Sequence, residues 1–118
     1  MAVGTLTRIN IPPFLITNAE VTNYTVPVSQ KAIYVELHLC NTDDTTEYMA
    51  EVHFVESGGS RTATNQVINQ VSGVTSMRPG EARTYSWNPF LAAGDSVRTI
   101  ANTTNKISAR LAVVLEEV

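Results

Sequence analysis

Alternation of apolar and polar side chains marks three segments of the chain, most clearly residues 31–40 and also residues 48–55 and 107–116. A period of two places alternate side chains on opposite faces of a strand, so each segment is predicted to be a strand with one buried face. The residues predicted to face the core of the first two strands are Ile33, Val35, Leu37, Leu39, Tyr48, Ala50, Val52 and Phe54.

Turn-forming sequences separate these strands from one another and from shorter ones. The polar stretch 41–46 lies between the first two alternating segments and predicts an antiparallel hairpin. Residues 57–60 contain two glycines and predict the next turn, and residues 78–81 have the Pro-Gly order of a type II turn. Further strands are predicted at 20–28, 83–87 and 96–101.

With a further strand possible within residues 62–77, the chain has about seven or eight predicted strands and no clearly capped helix of three turns, which predicts an all-β fold. The spacing of the turns is typical of an antiparallel β-sandwich or a jelly-roll-like barrel. The predicted sandwich domain covers residues 20–118.

Residues 1–19 differ from the predicted sandwich strands because both faces of an extended chain would carry apolar groups. Pro12 and Pro13 interrupt this stretch, since proline cannot donate to a sheet. We therefore expect an extended N-terminal arm that lies outside the sandwich or is exchanged as a strand.

Residues 62–77 carry no charged side chain. Their Val, Ile, Thr and Ser content favours a strand, although a short helix ending at Gly73 is the alternative. A strand without charges lacks the usual protection against pairing with another chain. This segment is therefore a candidate for subunit contacts.

Composition narrows the class of protein further. Hydrophobic residues make up 43% of the 118 residues and charged residues 16%, and about a third of the chain is Val, Ile or Thr. These figures exclude a disordered tail and a coiled coil, and the length is that of one domain. Cys40 is the single cysteine, which excludes an intrachain disulfide and a cysteine-based zinc site.

Charge and hydropathy argue against nucleic-acid and membrane partners. The net charge is −3, and the eight cationic side chains are scattered rather than clustered. No stretch approaches the roughly 20 apolar residues of a membrane helix, and no secretory signal is evident. We expect synthesis in a cytoplasm.

The two histidines could form a metal site if residues 31–40 and 48–55 pair as a hairpin. A register that sets Glu36 opposite His53 also sets His38 opposite Glu51, and imidazole and carboxylate groups are metal ligands. The alternative, which we favour, is a solvated ladder of charge pairs with no metal.

No arrangement of residues indicates catalysis. Asp43, Asp44 and Asp95 lack the spacing of a calcium loop, and nucleophile-elbow, phosphate-loop and dinucleotide motifs are absent. The sequence predicts a protein that is not an enzyme and has no cofactor.

Three aromatic residues lie close together at Tyr85, Trp87 and Phe90. Such rings can form a platform for sugars, so a carbohydrate-binding β-sandwich module is one hypothesis. Packing in the core or between subunits is the alternative that we favour, because these side chains bury large areas.

Three groups of residues resemble the small β-sandwich virion proteins of tailed bacteriophages. The first is Tyr24–Pro27 followed by Lys31–Ile33 and Leu39–Thr42; the second is Arg78–Glu81 followed by Pro89–Val97; the third is the closing strand Leu111–Glu116. The resemblance covers roughly residues 24–116 and consists of turns and strands.

The resemblance implies a structural role in a virion. The expected function is that of a capsid decoration (cement) protein that binds the outer surface of the major capsid protein shell and stabilises it. A neck or tail adaptor or fibre-attachment protein is the alternative. The resemblance also implies a homo-oligomer, with a trimer favoured over a dimer.

We expect the contacts with other virion subunits to come from the N-terminal segment and from the uncharged segment. The candidate partner-binding residues are Leu6, Arg8, Ile9, Ile11, Phe14, Leu15, Asn65, Gln66, Asn69 and Gln70.

Overall fold

A computed structural model describes residues 5–60, 68–71 and 76–118 of the chain. Within these residues the chain forms nine strands and no helix. The strands are β1 (Leu6–Ile16), β2 (Val21–Thr25), β3 (Gln30–Asn41), β4 (Tyr48–Val55), β5 (Ile68–Val71), β6 (Ser76–Met77), β7 (Ala82–Trp87), β8 (Ser96–Ala101) and β9 (Ile107–Glu117).

The strands form two antiparallel sheets that pack as a β-sandwich, as the alternation predicts. One sheet has the order β1-β9-β3-β7, and the other has the order β2-β8-β4-β5, with β6 also paired to β4. Consecutive strands alternate between the two sheets from β1 through β4, and again from β6 through β9. The core lies between the sheets, where alternate side chains of β3, β4, β8 and β9 meet.

The predicted hairpin of 31–40 and 48–55 is wrong, because β3 and β4 lie in different sheets. A polar loop does carry the chain between them. The buried Asn41 donates from Nδ2 to the carbonyls of Thr46 and Met77, and Asp43 Oδ1 accepts from the backbone of Thr45. These bonds turn the chain across the end of the sandwich rather than back along the same sheet.

The N-terminal segment also differs from the expected arm. Residues 6–16 form β1 and pair with β9 in register from Leu6↔Glu116 to Ile16↔Ile107. The register shifts between Ile11 and Phe14, so Pro12 and Pro13 are accommodated by a bulge in the edge strand. β1 is thus the edge strand of the four-stranded sheet.

The uncharged segment 62–77 is strand where the structure describes it, at β5 and β6. Residues 62–67 and 72–75 lie outside the described part of the chain, so the strand prediction for them stays a prediction.

Hydrogen bonds fix the turn before β7 and the loop before β8. At residues 78–81 the Glu81 N–H donates to the Arg78 carbonyl at 3.0 Å and Gly80 has φ +75°, as the type II prediction requires. Before β8, the buried Asp95 carboxylate accepts the backbone N–H groups of Ser57 at 2.9 Å and Ala92 at 2.8 Å. Asp95 thereby ties the β4–β5 side of one sheet to the β7–β8 loop.

Candidate interaction surface

The solvent-facing side of the four-stranded sheet carries a group of polar side chains that contact one another. β3 contributes Glu36 and His38, which stand next to Ala112 and Arg110 of β9 in the strand register. β1 contributes Arg8 and Asn10, and β7 contributes Thr84. We call this side of the sheet the polar face.

Glu36 is the centre of a hydrogen-bond network on the polar face. Its Oε2 accepts from the Tyr34 hydroxyl at 2.8 Å, and its Oε1 accepts from His38 Nε2 at 2.9 Å. The Thr84 hydroxyl lies 2.7 Å from His38 Nδ1. Since a carboxylate only accepts, Nε2 carries a proton and Thr84 donates to Nδ1 when the imidazole is neutral.

The same network shifts two pKa values. The hydrogen bond from Tyr34, followed by that from His38, lowers the pKa of Glu36 below its usual range. The bond to Glu36 in turn raises the pKa of Tyr34. Glu36 is therefore ionised whenever the network is formed at neutral pH.

A groove of about 400 Å³ runs along the polar face between β1, β9 and β3. Its wall includes the bulge at Pro12 and Pro13 on one side and Glu36 and His38 on the other. Arg8 lies 3.8 Å from Glu36, whereas Arg110 makes no ion pair in the described part of the chain. The groove therefore presents two guanidinium groups and an imidazole against one carboxylate.

Sequence reasoning missed Arg110 as a component of this surface. The alternation of β9 places its side chain opposite the buried Leu111 and Ala109, which was visible in the sequence. Its proximity to Arg8 and His38 depends on β9 lying between β1 and β3, which no local pattern reports.

The structure divides the predicted partner-binding residues into three groups. Leu6 and Leu15 are 59% and 48% exposed, and Arg8 is exposed on the polar face. Ile9, Ile11 and Phe14 instead pack against the core. Asn69 and Gln70 lie on β5, while Asn65 and Gln66 lie outside the described residues.

The structure does not bring together the four residues of the predicted metal cluster. Glu36 and His38 belong to β3 and Glu51 and His53 to β4, so each His contacts the Glu on its own strand, at 2.9 Å in both cases. His53 is also only 3% exposed, in contrast to its predicted solvent-facing position. No group of three or more His, Cys, Asp or Glu side chains in the described ranges is arranged to hold a metal ion.

Trp87 and Tyr85 pack rather than form an open platform. The Trp87 ring meets Phe54 of the other sheet edge-to-face, with 5.3 Å between ring centroids, and Tyr85 stacks on Trp87 at 6.0 Å. Both side chains are partly buried against the core. Phe90 is 76% exposed and makes no ring contact with a described aromatic residue.

Two of the three aspartates considered as calcium ligands, Asp43 and Asp95, accept hydrogen bonds from backbone N–H groups. Asp43 caps the loop after β3 and lies 3.7 Å from Lys106, and Asp95 holds the loop before β8 at the other end of the sandwich. Their separation excludes a shared site. In the part of the chain that the structure describes, no helix has the length and apolar character needed to span a bilayer.

Comparison with known proteins defines the class of fold. No protein-family model matches the sequence, and no curated protein is significantly similar to it. Solved structures do match. A chain from the acid-stable capsid of Helicobacter pylori bacteriophage KHP30 superposes with a TM-score of 0.56 at 14% identity, covering 98% of this chain and 88% of that chain.

Two further structures extend this likeness. A chain of the cyanophage Pam1 capsid asymmetric unit matches with a TM-score of 0.51 at 18% identity, covering 98% of this chain and 87% of that one. A chain of the disulfide-linked Bacillus endospore appendage pili matches with a TM-score of 0.55 at 9% identity, covering 98% and 90%. Against the infectious bursal disease virus structures, this chain spans only about a third of the matched chain. The chain therefore has a β-sandwich fold like that of subunits from viral capsids and a pilus.

Proposed function

We propose that this chain is a non-enzymatic structural virion protein that decorates bacteriophage capsids. It would bind the outer surface of the shell formed by the major capsid protein and stabilise that shell. The observation that carries the proposal is the end-to-end match with chains of two phage capsids. Because each match covers nearly all of both chains, the matched subunits are about as small as this one.

The polar face supports attachment to a protein surface. The groove offers Arg8, His38 and Arg110 to an acidic side chain, and Leu6 and Leu15 offer apolar contact area on the neighbouring edge strand. Aligned charges at an interface select partners and set the association rate. A subunit that binds only the assembled shell adds to its stability by mass action.

The proposal includes synthesis in the host cytoplasm and a final location on the capsid surface, with no cofactor and with neither nucleic acid nor membrane as a partner. A neck or tail adaptor, or a fibre-attachment protein, is the second candidate, because the same β-sandwich fold suits any virion subunit. A carbohydrate-binding role has weaker support, since Trp87 packs against Phe54 instead of presenting its face.

The experiment that tests this proposal adds the purified chain to shells assembled without it. We expect saturable co-sedimentation with the shells and a rise in their melting temperature. Failure of the wild-type chain to bind the shells would contradict the decoration proposal.

Charge reversal tests the role of the groove in the same assay. Arg110→Glu is expected to weaken binding roughly tenfold or more, because it repels an acidic partner. Arg78→Glu makes the same charge change on an exposed turn outside the groove and is expected to bind as the wild type does. If the wild type and both variants bind the shells equally well, the groove is not the binding surface, although the decoration proposal itself still stands.

A further inference from the structure

The outer edge of β1 presents a row of backbone groups with a known orientation. The Glu117 N–H donates to the Thr5 carbonyl at 3.3 Å, in line with the register Leu6↔Glu116. In an antiparallel pair, bonded residues alternate with non-bonded ones, so the odd residues from Thr5 to Ile11 bond to β9. The N–H and C=O groups of Leu6, Arg8 and Asn10 therefore point away from the sheet.

Among the described residues, no strand pairs with this edge. Natural proteins protect such edges with prolines, bulges and charges. Here the bulge and the proline pair protect only the second half of β1, beyond Ile11. The first half carries a single charge, Arg8, on an otherwise uncharged stretch.

We propose that β1 pairs with β1 of a second copy of this chain, antiparallel across a two-fold axis. Such a self-complementary interface is the usual way in which two identical subunits associate. It would join two four-stranded sheets into one continuous sheet of eight strands.

The sequence of β1 selects the register of this pairing. A register centred on Arg8 places the two Arg8 side chains directly opposite each other, which is destabilising. A register centred on Ile9 places Arg8 opposite Asn10 of the second copy, twice per dimer. Arg8 already donates from Nε to Asn10 Oδ1 at 3.1 Å within one strand, so the two side chains are complementary donor and acceptor.

The register centred on Ile9 also satisfies the backbone. Arg8 and Asn10 both point their N–H and C=O groups outward, so each cross-copy pair exchanges two hydrogen bonds. Pro12, which has no N–H, ends the ladder on each side. The grooves of the two copies then lie on the same side of the joined sheet, flanking the axis.

This pairing favours a dimer over the trimer that the sequence resemblance implies. It does not depend on the proposed capsid function, since the chain alone can be tested in solution. We expect a mass of twice 12.8 kDa in sedimentation at high protein concentration, with dissociation on dilution. A single species of 12.8 kDa at every concentration would overturn the proposal.

A proline substitution on the outer edge of β1 tests dimerisation without removing a hydrogen bond from the monomer. Asn10→Pro removes an N–H that points outward, so the monomer keeps all its bonds to β9 while the dimer loses two bonds. The matched control is Ala82→Pro on β7, the other edge of the same sheet. Because the Asn41 N–H donates to the Glu81 carbonyl, the Ala82 N–H also points outward. We expect Asn10→Pro to be monomeric and Ala82→Pro to remain dimeric; equal dimerisation by both would overturn the proposal.

Charge at position 10 tests the pairing without a backbone change. Asn10→Glu places a carboxylate opposite Arg8 of the second copy, and Asn10→Arg places a second guanidinium there. With two such pairs per dimer, the dissociation constant should fall for Asn10→Glu and rise for Asn10→Arg, each by roughly 2- to 30-fold. A change of the same sign for both variants would contradict the pairing.

Cysteine cross-linking reads the register directly. In a Cys40→Ala background, single cysteines at Thr7, Arg8 and Ile9 each mark the centre of one possible register. We expect the Ile9→Cys protein to form the disulfide-linked dimer in highest yield, because its Cα atoms would face each other at the non-hydrogen-bonded position. A highest yield at Thr7→Cys or Arg8→Cys would contradict the register centred on Ile9.

Discussion

The carboxylate of Asp95 accepts a hydrogen bond from the backbone N–H of Ser57 at 2.9 Å, although the two residues lie 38 positions apart in the chain. Its second oxygen accepts from the Ala92 N–H at 2.8 Å. This one side chain therefore holds the loop that follows β4 against the loop that precedes β8. It thereby fixes the ends of two neighbouring strands of the same sheet, at the end of the sandwich opposite Asn41.

Removal of this carboxylate is expected to destabilise the fold. Asp95→Ala leaves two N–H groups without their acceptor, which should lower the free energy of unfolding by about 2–4 kcal/mol. Asp44→Ala, an exposed aspartate, is the control and should change it by less than about 0.5 kcal/mol. Urea unfolding measures both, and equal midpoints for the two variants would contradict this role of Asp95.

Gly94 precedes Asp95, and the close approach of the two loops at Ser57 leaves no room for a side chain on it. Its φ is +90°, and a Cβ atom at this position would lie 2.7 Å from Ser57 Oγ. Gly58 also has a positive φ, +76°, but its added Cβ would meet nothing within 4 Å. We expect Gly58→Ala to cost about 1 kcal/mol for the backbone alone and Gly94→Ala to cost roughly 1–3 kcal/mol more. Equal thermal stability of the two variants would show that the close approach to Ser57 has no energetic weight.

Phe54 and Trp87 join the two sheets through an edge-to-face ring contact at 5.3 Å. Phe54 is fully buried, so Phe54→Ala should lower the free energy of unfolding by about 3–5 kcal/mol. A double-mutant cycle with Trp87→Ala should give a coupling energy of about 0.5–1.5 kcal/mol for the ring pair. A coupling energy of zero would mean that Trp87 does not stabilise the core through Phe54.

The Glu36 network predicts a pH dependence with a defined sign. Because the folded-state pKa of Glu36 is lowered, first by the Tyr34 hydroxyl, ionised Glu36 stabilises the fold above its ordinary pKa. That contribution is lost as the pH falls through the lowered value. In Tyr34→Phe, an NMR titration should find the Glu36 pKa closer to its ordinary value, with less loss of stability in acid.

Tyr48→Phe is the matched control for this titration, because Tyr48 lies on β4 in the other sheet. It should leave the pKa of Glu36 unchanged. An unchanged pKa in Tyr34→Phe as well would contradict the assignment of the shift to the hydroxyl.

Much of the fold could be predicted from the sequence because strand alternation is a local property. The bounds of β4 and β8 agree with the predicted segments 48–55 and 96–101, and Val52 and Phe54 face the core as expected. Alternation does not report which sheet a strand joins, so the predicted pairing of β3 with β4 was wrong. For the same reason, the sequence did not predict that Arg110 lines the groove or that His53 is buried.

The N-terminal segment shows a second limit. Apolar residues on both faces of residues 1–19 predicted an extended arm that lies outside the sandwich or is exchanged as a strand. In the structure Ile9, Ile11 and Phe14 pack inward, while Leu6 and Leu15 remain exposed at the sheet edge. An edge strand of this kind and an extended arm both carry apolar residues on two faces. They differ only in whether the segment pairs with a strand of the sheet, which the local sequence does not report.

The central claim is that this chain decorates a capsid, and the number and location of its copies in purified virions test that claim most directly. Cryo-electron microscopy combined with quantitative mass spectrometry is expected to find the β-sandwich on the outer surface of the shell in hundreds of copies, following the capsid symmetry. A copy number of about six to a few tens, confined to the neck or tail, would contradict capsid decoration and support the adaptor role. Its absence from the virion would contradict both.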